Sequence, residues 1–253
     1  MSAILVPIDV PSIYLHAGHK VSLPKRMALC TPDMKMAIFR LGEAVREKGG
    51  LFALSDLFRS YEMQLQAALD YESKKKSAYS PRPGSSLHES GRAFDVDLGG
   101  LKMGLDKFWT LAASVGVVPI NAEPDPKLSE AWHFECRGSH QLVYDYYKSG
   151  KGKNFKTPYT AMAASAILAV GIRHDRFLEN ASAARLQSGL IRLGYDIGNL
   201  DGAIGPRSIK ALQDMGLADT ELDQQLKGVE TKLQLRFAEE YFDSVPEEVA
   251  LAP

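Results

Sequence analysis

The chain has 253 residues, 45% of them apolar and 24% charged, and its 30 basic and 31 acidic side chains leave a formal net charge of −1. This is the composition of an ordinary globular protein, long enough for one large domain or two small ones. A charge near zero gives no electrostatic ground for nucleic-acid binding, and two cysteines, Cys30 and Cys136, make no disulfide framework and are expected as buried free thiols.

Taken in order, the N-terminal residues lack a basic region and a long apolar run, so no secretory signal is read there. His16-Ala17-Gly18-His19 has metal-like spacing but no neighbouring acid or thiol, and is read as surface or packing. Residues 33–48 place apolar side chains at helical spacing up to Gly49-Gly50. Leu51 to Phe58 reads as a strand leading to Arg59, and Tyr61 to Lys75 as a helix with Gln64 on its first turns. A turn-rich loop from Ser80 leads to Ser86-Leu87-His88-Glu89-Ser90-Gly91. Ala93 to Leu98 alternates as a strand, with Ala93, Asp95 and Asp97 on one face and Phe94, Val96 and Leu98 on the other. A helix over Leu105 to Val115 and a strand over Trp132 to Cys136 follow. Mixed elements without βαβ regularity predict an α+β fold, a small antiparallel sheet with flanking helices.

Lys148 to Lys156 is basic, contains glycine and lacks periodicity, which predicts a boundary or a mobile loop. Ala161 to Ile172 is apolar but well short of the ~20 residues of a spanning helix, so it is expected as a buried docking helix and no stable membrane insertion is expected. Residues 184–195 and 207–213 read as helices separated by the Asp201-Gly202 turn, Leu217 to Phe242 is helical in pattern, and the chain from Ser244 is expected as a frayed tail. The expected organisation is a catalytic domain over 1–150, a linker and docking helix over 151–175, a small all-α domain over 176–245 and a tail over 246–253.

The chemistry lies in two segments. His88 and Asp95 stand on either side of Gly91, which lets the backbone bend, and His133 stands in the second strand. Two imidazoles and a carboxylate, with a further carboxylate to take a proton from water, are the parts of a catalytic zinc site with one open position. Both Glu130 and Glu135 are candidates for that base: alternation puts Glu135 on the side of His133, while Glu130 sits at the strand entry. His140 and His174 carry no assigned role.

The pattern Ser86-x-His88-x-x-Gly91-x-Ala93-x-Asp95 followed by Glu130-x-Trp132-His133 resembles the zinc D-alanyl-D-alanine carboxypeptidases, the VanY- and VanX-type enzymes and the phage L-alanoyl-D-glutamate endopeptidases of the LAS group. The resemblance implies that His88, Asp95 and His133 bind Zn2+, that Glu130 is the general base and then acid, and that Glu135 and Asp97 play supporting parts. Phe58-Arg59-Ser60 with Gln64 resembles the family's upstream arginine segment, with Phe58 in place of the usual Tyr. It implies Arg59 as the group that meets an oxyanion or substrate carboxylate, with Gln64 and Ser86 as further substrate contacts.

Leu186-Gln187, Leu190, Leu193-Gly194-Tyr195, Asp201-Gly202, Gly205, Ala211 and Gln213 resemble the type 1 peptidoglycan-binding domain, with Ser208 where Thr is usual and Leu212 where Phe is usual. The joint expectation is a zinc peptidase that hydrolyses an amide bond of peptidoglycan stem peptides. It would be a lytic endopeptidase or a D-Ala-D-Ala carboxypeptidase, made in the cytoplasm and brought to the wall or periplasm by a holin or a dedicated secretion system. The rival expectation is a non-catalytic peptidoglycan-binding protein with a structural zinc site.

Overall fold

The computed structural model describes residues 4–243, so the expected tail from Ser244 lies outside the described residues. The N-terminal stretch folds into β1 (Val6–Pro7), β2 (Pro11–His16), β3 (His19–Ser22) and β4 (Leu29–Cys30). Helix α1 (Pro32–Glu47) begins with Pro32, whose missing N–H costs nothing in a first turn, and with Asp33, whose charge suits the helix N-terminus. Its Met34, Ala37, Ile38, Leu41 and Val45 are buried at the helical spacing seen in the sequence. After β5 (Leu54–Asp56) and α2 (Tyr61–Glu72) come β6 (Ala93–Val96), α3 (Leu105–Ser114), β7 (Val118–Pro119) and β8 (His133–Glu135). The rest is helical: α4 (Gln141–Lys148), α5 (Pro158–Ala169), α6 (Ala181–Arg192), α7 (Pro206–Asp214) and α8 (Leu222–Arg236).

The fold is α+β. One sheet has the order β3-β2-β5-β6-β8-β7, and β1 pairs separately with β4. Its pairings are antiparallel except that of β2 with β5, which is parallel. Strands β2 and β3 at its edge come from the first residues of the chain, where segments this short carry no periodicity to read. Ala17 and Gly18 both have positive φ, +49° and +82°, and make the tight turn that sets His16 opposite His19. The His-x-x-His spacing is the two flanks of a hairpin, and both imidazoles are exposed.

Alternation along β6 sends Phe94 and Val96 into a core shared with α1 and α3. Phe94 stacks on Phe134 at 5.7 Å between centroids, while Phe52 and Phe108 close on the pair, Phe52 edge-on to Phe94 and Phe108 edge-on to Phe134. The same alternation turns Ala93 and Asp95 to the opposite face. Cys30 and Cys136 are free and buried.

A second core joins Val143, Tyr146 and Tyr147 of α4 to Leu186, Leu190, Leu212, Val229 and Leu233 of the following helices. Helix α4, expected with the residues before it, thus packs with the helices after it. Residues 148–156 are tied down: Asn154 donates to the Leu200 carbonyl and accepts from the Tyr147 hydroxyl, each at 2.8 Å. Residues 161–169 of α5 are buried on every side, which is why the segment reads as apolar without an amphipathic period. It packs against α4, α6 and the 3-10 turn Leu87–Ser90. No helix among the described residues is long and apolar enough to cross a membrane.

Buried ion pairs clasp the two halves. Arg92, the residue before β6, forms a bidentate pair with Asp33 and approaches Glu240 at 3.5 Å. Glu240 also takes Arg192 of α6 at 2.7 Å and the Ser139 hydroxyl at 2.9 Å.

Candidate metal centre

Ser86 and Glu89 form a reciprocal capping box that starts the Leu87–Ser90 turn, and Gly91 ends it with φ +64°. A side chain at Gly91 would place its Cβ 2.7 Å from Cys30 Cα. This short rigid turn holds His88 over the polar face of β6. Asp95 and His133 reach the same point as directly opposed residues of β6 and β8.

His88 Nδ1 lies 2.8 Å from the Leu57 carbonyl, which can only accept, so the ring proton sits on Nδ1 and the Nε2 lone pair faces inward. His133 Nε2 lies 3.3 Å from Glu135 Oε1, which leaves the Nδ1 lone pair facing inward. The two inward nitrogens are 3.2 Å apart, and Asp95 Oδ1 stands 3.0 Å from one and 3.4 Å from the other. Three acceptors converging in a buried space repel each other unless a cation lies between them. An edge of about 3.3 Å is what tetrahedral zinc with bonds of about 2.0–2.1 Å requires. The far nitrogen of each ring already has its acceptor, as outer-shell partners of a metal site do. Among the described residues, this is the one cluster of three or more such side chains placed to hold a metal ion.

The electrostatics agree. Burial pushes His133 down, but hydrogen bonds to Asp95 and Glu135 more than offset it and raise the imidazole to about 10. Burial pushes Asp95 up, and His88 and His133 more than offset that, holding the carboxyl well below its usual range. The site calls for a positive charge, carried by a proton or by a metal ion.

Arg59 approaches from the end of β5. Its Nε donates to Asp56 Oδ2 at 2.7 Å, its Nη1 donates to Gln64 Oε1 at 3.2 Å, and Nη2 lies 3.8 Å from Asp95 Oδ2. Gln64 corrects an expectation. It is fully buried and its amide is spent on Ser80 and Pro81, so it faces Arg59 and not a substrate. Ser86 does line the cleft beside His88, although its hydroxyl also caps the turn.

That cleft has a volume of roughly 490 Å³ and is bordered by Arg59, His88, Glu130, His133, Lys156 and Tyr159. Glu130 holds φ +63°, a left-handed conformation that costs a non-glycine residue about 1–3 kcal/mol. Its Oε1 is buried and has no hydrogen-bond partner. Burial raises the Glu130 carboxyl above its usual range and Asp95 adds to this, while His133 and His88 oppose it. Glu135, the other candidate base, is fully buried and fully engaged: it accepts from His133, from Arg137 Nε at 2.7 Å and from the Tyr159 hydroxyl at 2.6 Å. Asp97 caps a turn through the Gly99 amide at 3.2 Å.

Asp56, Lys156 and Tyr159 were not singled out by sequence reasoning. Asp56 carries a faint signal, an acid close before Arg59; the other two lie far along the chain from either motif. His140 and His174 are buried away from the cluster, bonded to Ser165 and to the Gly84 carbonyl at 2.8 and 3.1 Å.

No family model and no curated protein matches the chain. Among solved structures it is similar to DacB from Streptococcus pneumoniae D39, at 23% identity over 58% of this chain and 91% of that one, with a TM-score of 0.36. It is also similar to the LD-carboxypeptidase LdcB, at 23% identity over 58% and 90% with a TM-score of 0.35. A third is the vancomycin resistance D,D-pentapeptidase VanY in complex with Zn(II), at 19% identity over 59% and 94% with a TM-score of 0.31.

Proposed function

We propose that this chain is a zinc-dependent peptidase that hydrolyses an amide bond in peptidoglycan stem peptides. The observation that carries the metal is the convergence of His88 Nε2, His133 Nδ1 and Asp95 Oδ1, each ring with its outer nitrogen already satisfied. The bond type comes from the resemblance of the two motifs to the LAS peptidases, and the open cleft beside the cluster gives a peptide room to lie. The metal, when bound, supplies a water of lowered pKa and polarises the scissile carbonyl.

The protein's own groups do the rest. Glu130, with a free and partly desolvated carboxylate oxygen, takes the proton of the attacking water and returns it to the leaving amine. Arg59 donates to the oxyanion that develops on the carbonyl, and Asp56 and Gln64 hold its guanidinium in place. Glu135 keeps the His133 proton on Nε2, and Leu57 does the same for His88 on Nδ1.

Residues 176–245 are proposed as a wall-binding module. In support, Gln187 and the Asp201-Gly202 turn, both part of the resemblance, are bonded to each other: Gln187 Oε1 accepts from the Asp201 and Gly202 amides at 3.0 and 2.7 Å. The pairing of such a module with a peptidase favours a wall-lytic endopeptidase delivered by a holin or a dedicated secretion system; trimming of terminal D-Ala is the alternative reaction.

The test is metal content and turnover together. Glu130→Ala should keep one zinc per chain and lose about 10²–10⁴-fold in turnover. A zinc-loaded Glu130→Ala protein with wild-type activity would remove Glu130 from the mechanism.

A further inference from the structure

We infer that Tyr159, carried by α5 of the helical half, is a positioning residue for His133, so that the metal centre is completed from outside the sheet. The inference rests on the zinc reading of the same site. His133 has a carboxylate at each ring nitrogen, Asp95 at Nδ1 and Glu135 at Nε2. Nδ1 is available to a metal only while the proton stays on Nε2, and that depends on where Glu135 holds Oε1.

Glu135 is fully buried, and a carboxylate so placed needs donors on both oxygens. Arg137 Nε supplies Oε2 at 2.7 Å. Oε1 receives the Tyr159 hydroxyl at 2.6 Å and His133 at 3.3 Å, so Tyr159 makes the shorter bond and sets the position of the oxygen. Without that hydroxyl, Oε1 keeps only its longer contact, and the carboxylate is free to turn toward Arg137.

Tyr159 is itself rigidly placed. It lies in the first turn of α5, which Thr157 and Thr160 close with a capping box. The helix then lays Met162, Ala163 and Ala166 on Leu87 and Ala93. Leu87 adjoins His88, and Ala93 lies on the strand of Asp95, so one helix rests on both ligand-bearing segments. The small side chain of Ala93 leaves the room for this approach.

Full-length wild type, Tyr159→Phe, Glu135→Gln and the double variant should be compared by zinc affinity, from competition with a chromophoric chelator, and by the visible spectrum of the cobalt-loaded protein. Tyr159→Phe keeps the ring that packs against the cluster of Leu87, Ala93 and Met162 and removes only the hydroxyl. It should weaken zinc binding about 10-fold, the lower end for outer-shell partners, and shift the cobalt bands. Glu135→Gln should weaken it further, and the double variant should be no weaker than Glu135→Gln alone, because Tyr159 acts through Glu135. Wild-type affinity and an unchanged spectrum in Tyr159→Phe, or losses that multiply in the double variant, would overturn the inference while leaving the zinc site standing. A wild-type protein that takes up neither zinc nor cobalt would overturn the zinc reading itself.

Discussion

At the scale of single residues, the cluster is two imidazoles whose outer nitrogens are bonded and whose inner nitrogens face Asp95. His88 and His133 give up their outer nitrogens to Leu57 and Glu135, and Glu130, on the same cleft, keeps a buried Oε1 without a hydrogen-bond partner. This has a pH consequence. In the metal-free protein, Asp95 and Glu135 outweigh burial and raise His133 from 6.5 to about 10. A group raised in the folded state contributes stability that is fully present below its unfolded pKa and is lost as pH rises through its folded pKa. Chelated protein should therefore lose melting temperature between pH 6.5 and about 10, and zinc uptake at pH 7 should expel about one proton. Melting curves of chelated protein, and calorimetry in buffers of different ionisation enthalpy, check both; a flat melting profile with no proton release would mean that the carboxylates do not hold a charge on His133. The convergence of His88, Asp95 and His133 was legible in the sequence because residue type and order carry it. The duty of Gln64 was not, because a buried glutamine and a substrate-facing one look alike until its partners Ser80, Pro81 and Arg59 are seen.

At the scale of elements, the site is made by one tight turn and two paired strands. Gly91 ends the turn that carries His88, with a left-handed φ and no space for a Cβ against Cys30. Gly91→Ala should cost more than about 1 kcal/mol, since strain and a backbone clash add, and should weaken zinc binding along with stability. Thermal melts and zinc titration of the variant test this; a wild-type melting temperature and affinity would mean that the turn relaxes freely. By contrast, replacing His16 and His19 with Ala should leave zinc stoichiometry unchanged, because the two flank an exposed hairpin turn. Longer periodic segments such as α1, α3 and α6 were readable from their apolar spacing. The strands β1 to β4 were not, since segments this short are fixed by their partners rather than by their own pattern.

At the scale of the whole molecule, the sheet that carries Asp95 and His133 and the helical half share buried structure. Helix α5 rests on the segments that carry His88 and Asp95, and Glu240 stands between Arg92, just before β6, and Arg192 of α6. Removing Glu240 leaves two buried guanidinium groups short of a counter-ion, a change that costs about 3–5 kcal/mol in buried pairs. Glu240→Ala should therefore lower the urea midpoint of the entire chain in one transition. Two separate transitions, or a loss confined to the helices, would show that the halves fold independently. The sequence showed a buried docking helix at Ala161 to Ile172 but not what it docks against, because α5 is uniformly apolar and shows no preferred face, and Glu240 and Arg92 are ordinary charges far apart in the chain.

The most direct measurement is digestion of isolated peptidoglycan sacculi by the purified protein, with and without chelator, with the products read by mass spectrometry. Stem-peptide cleavage that chelator abolishes, zinc restores and Glu130→Ala lacks is the expected result, and the masses identify the bond. Intact sacculi after incubation with zinc-loaded protein would contradict a peptidase and leave a metal-bearing protein without turnover.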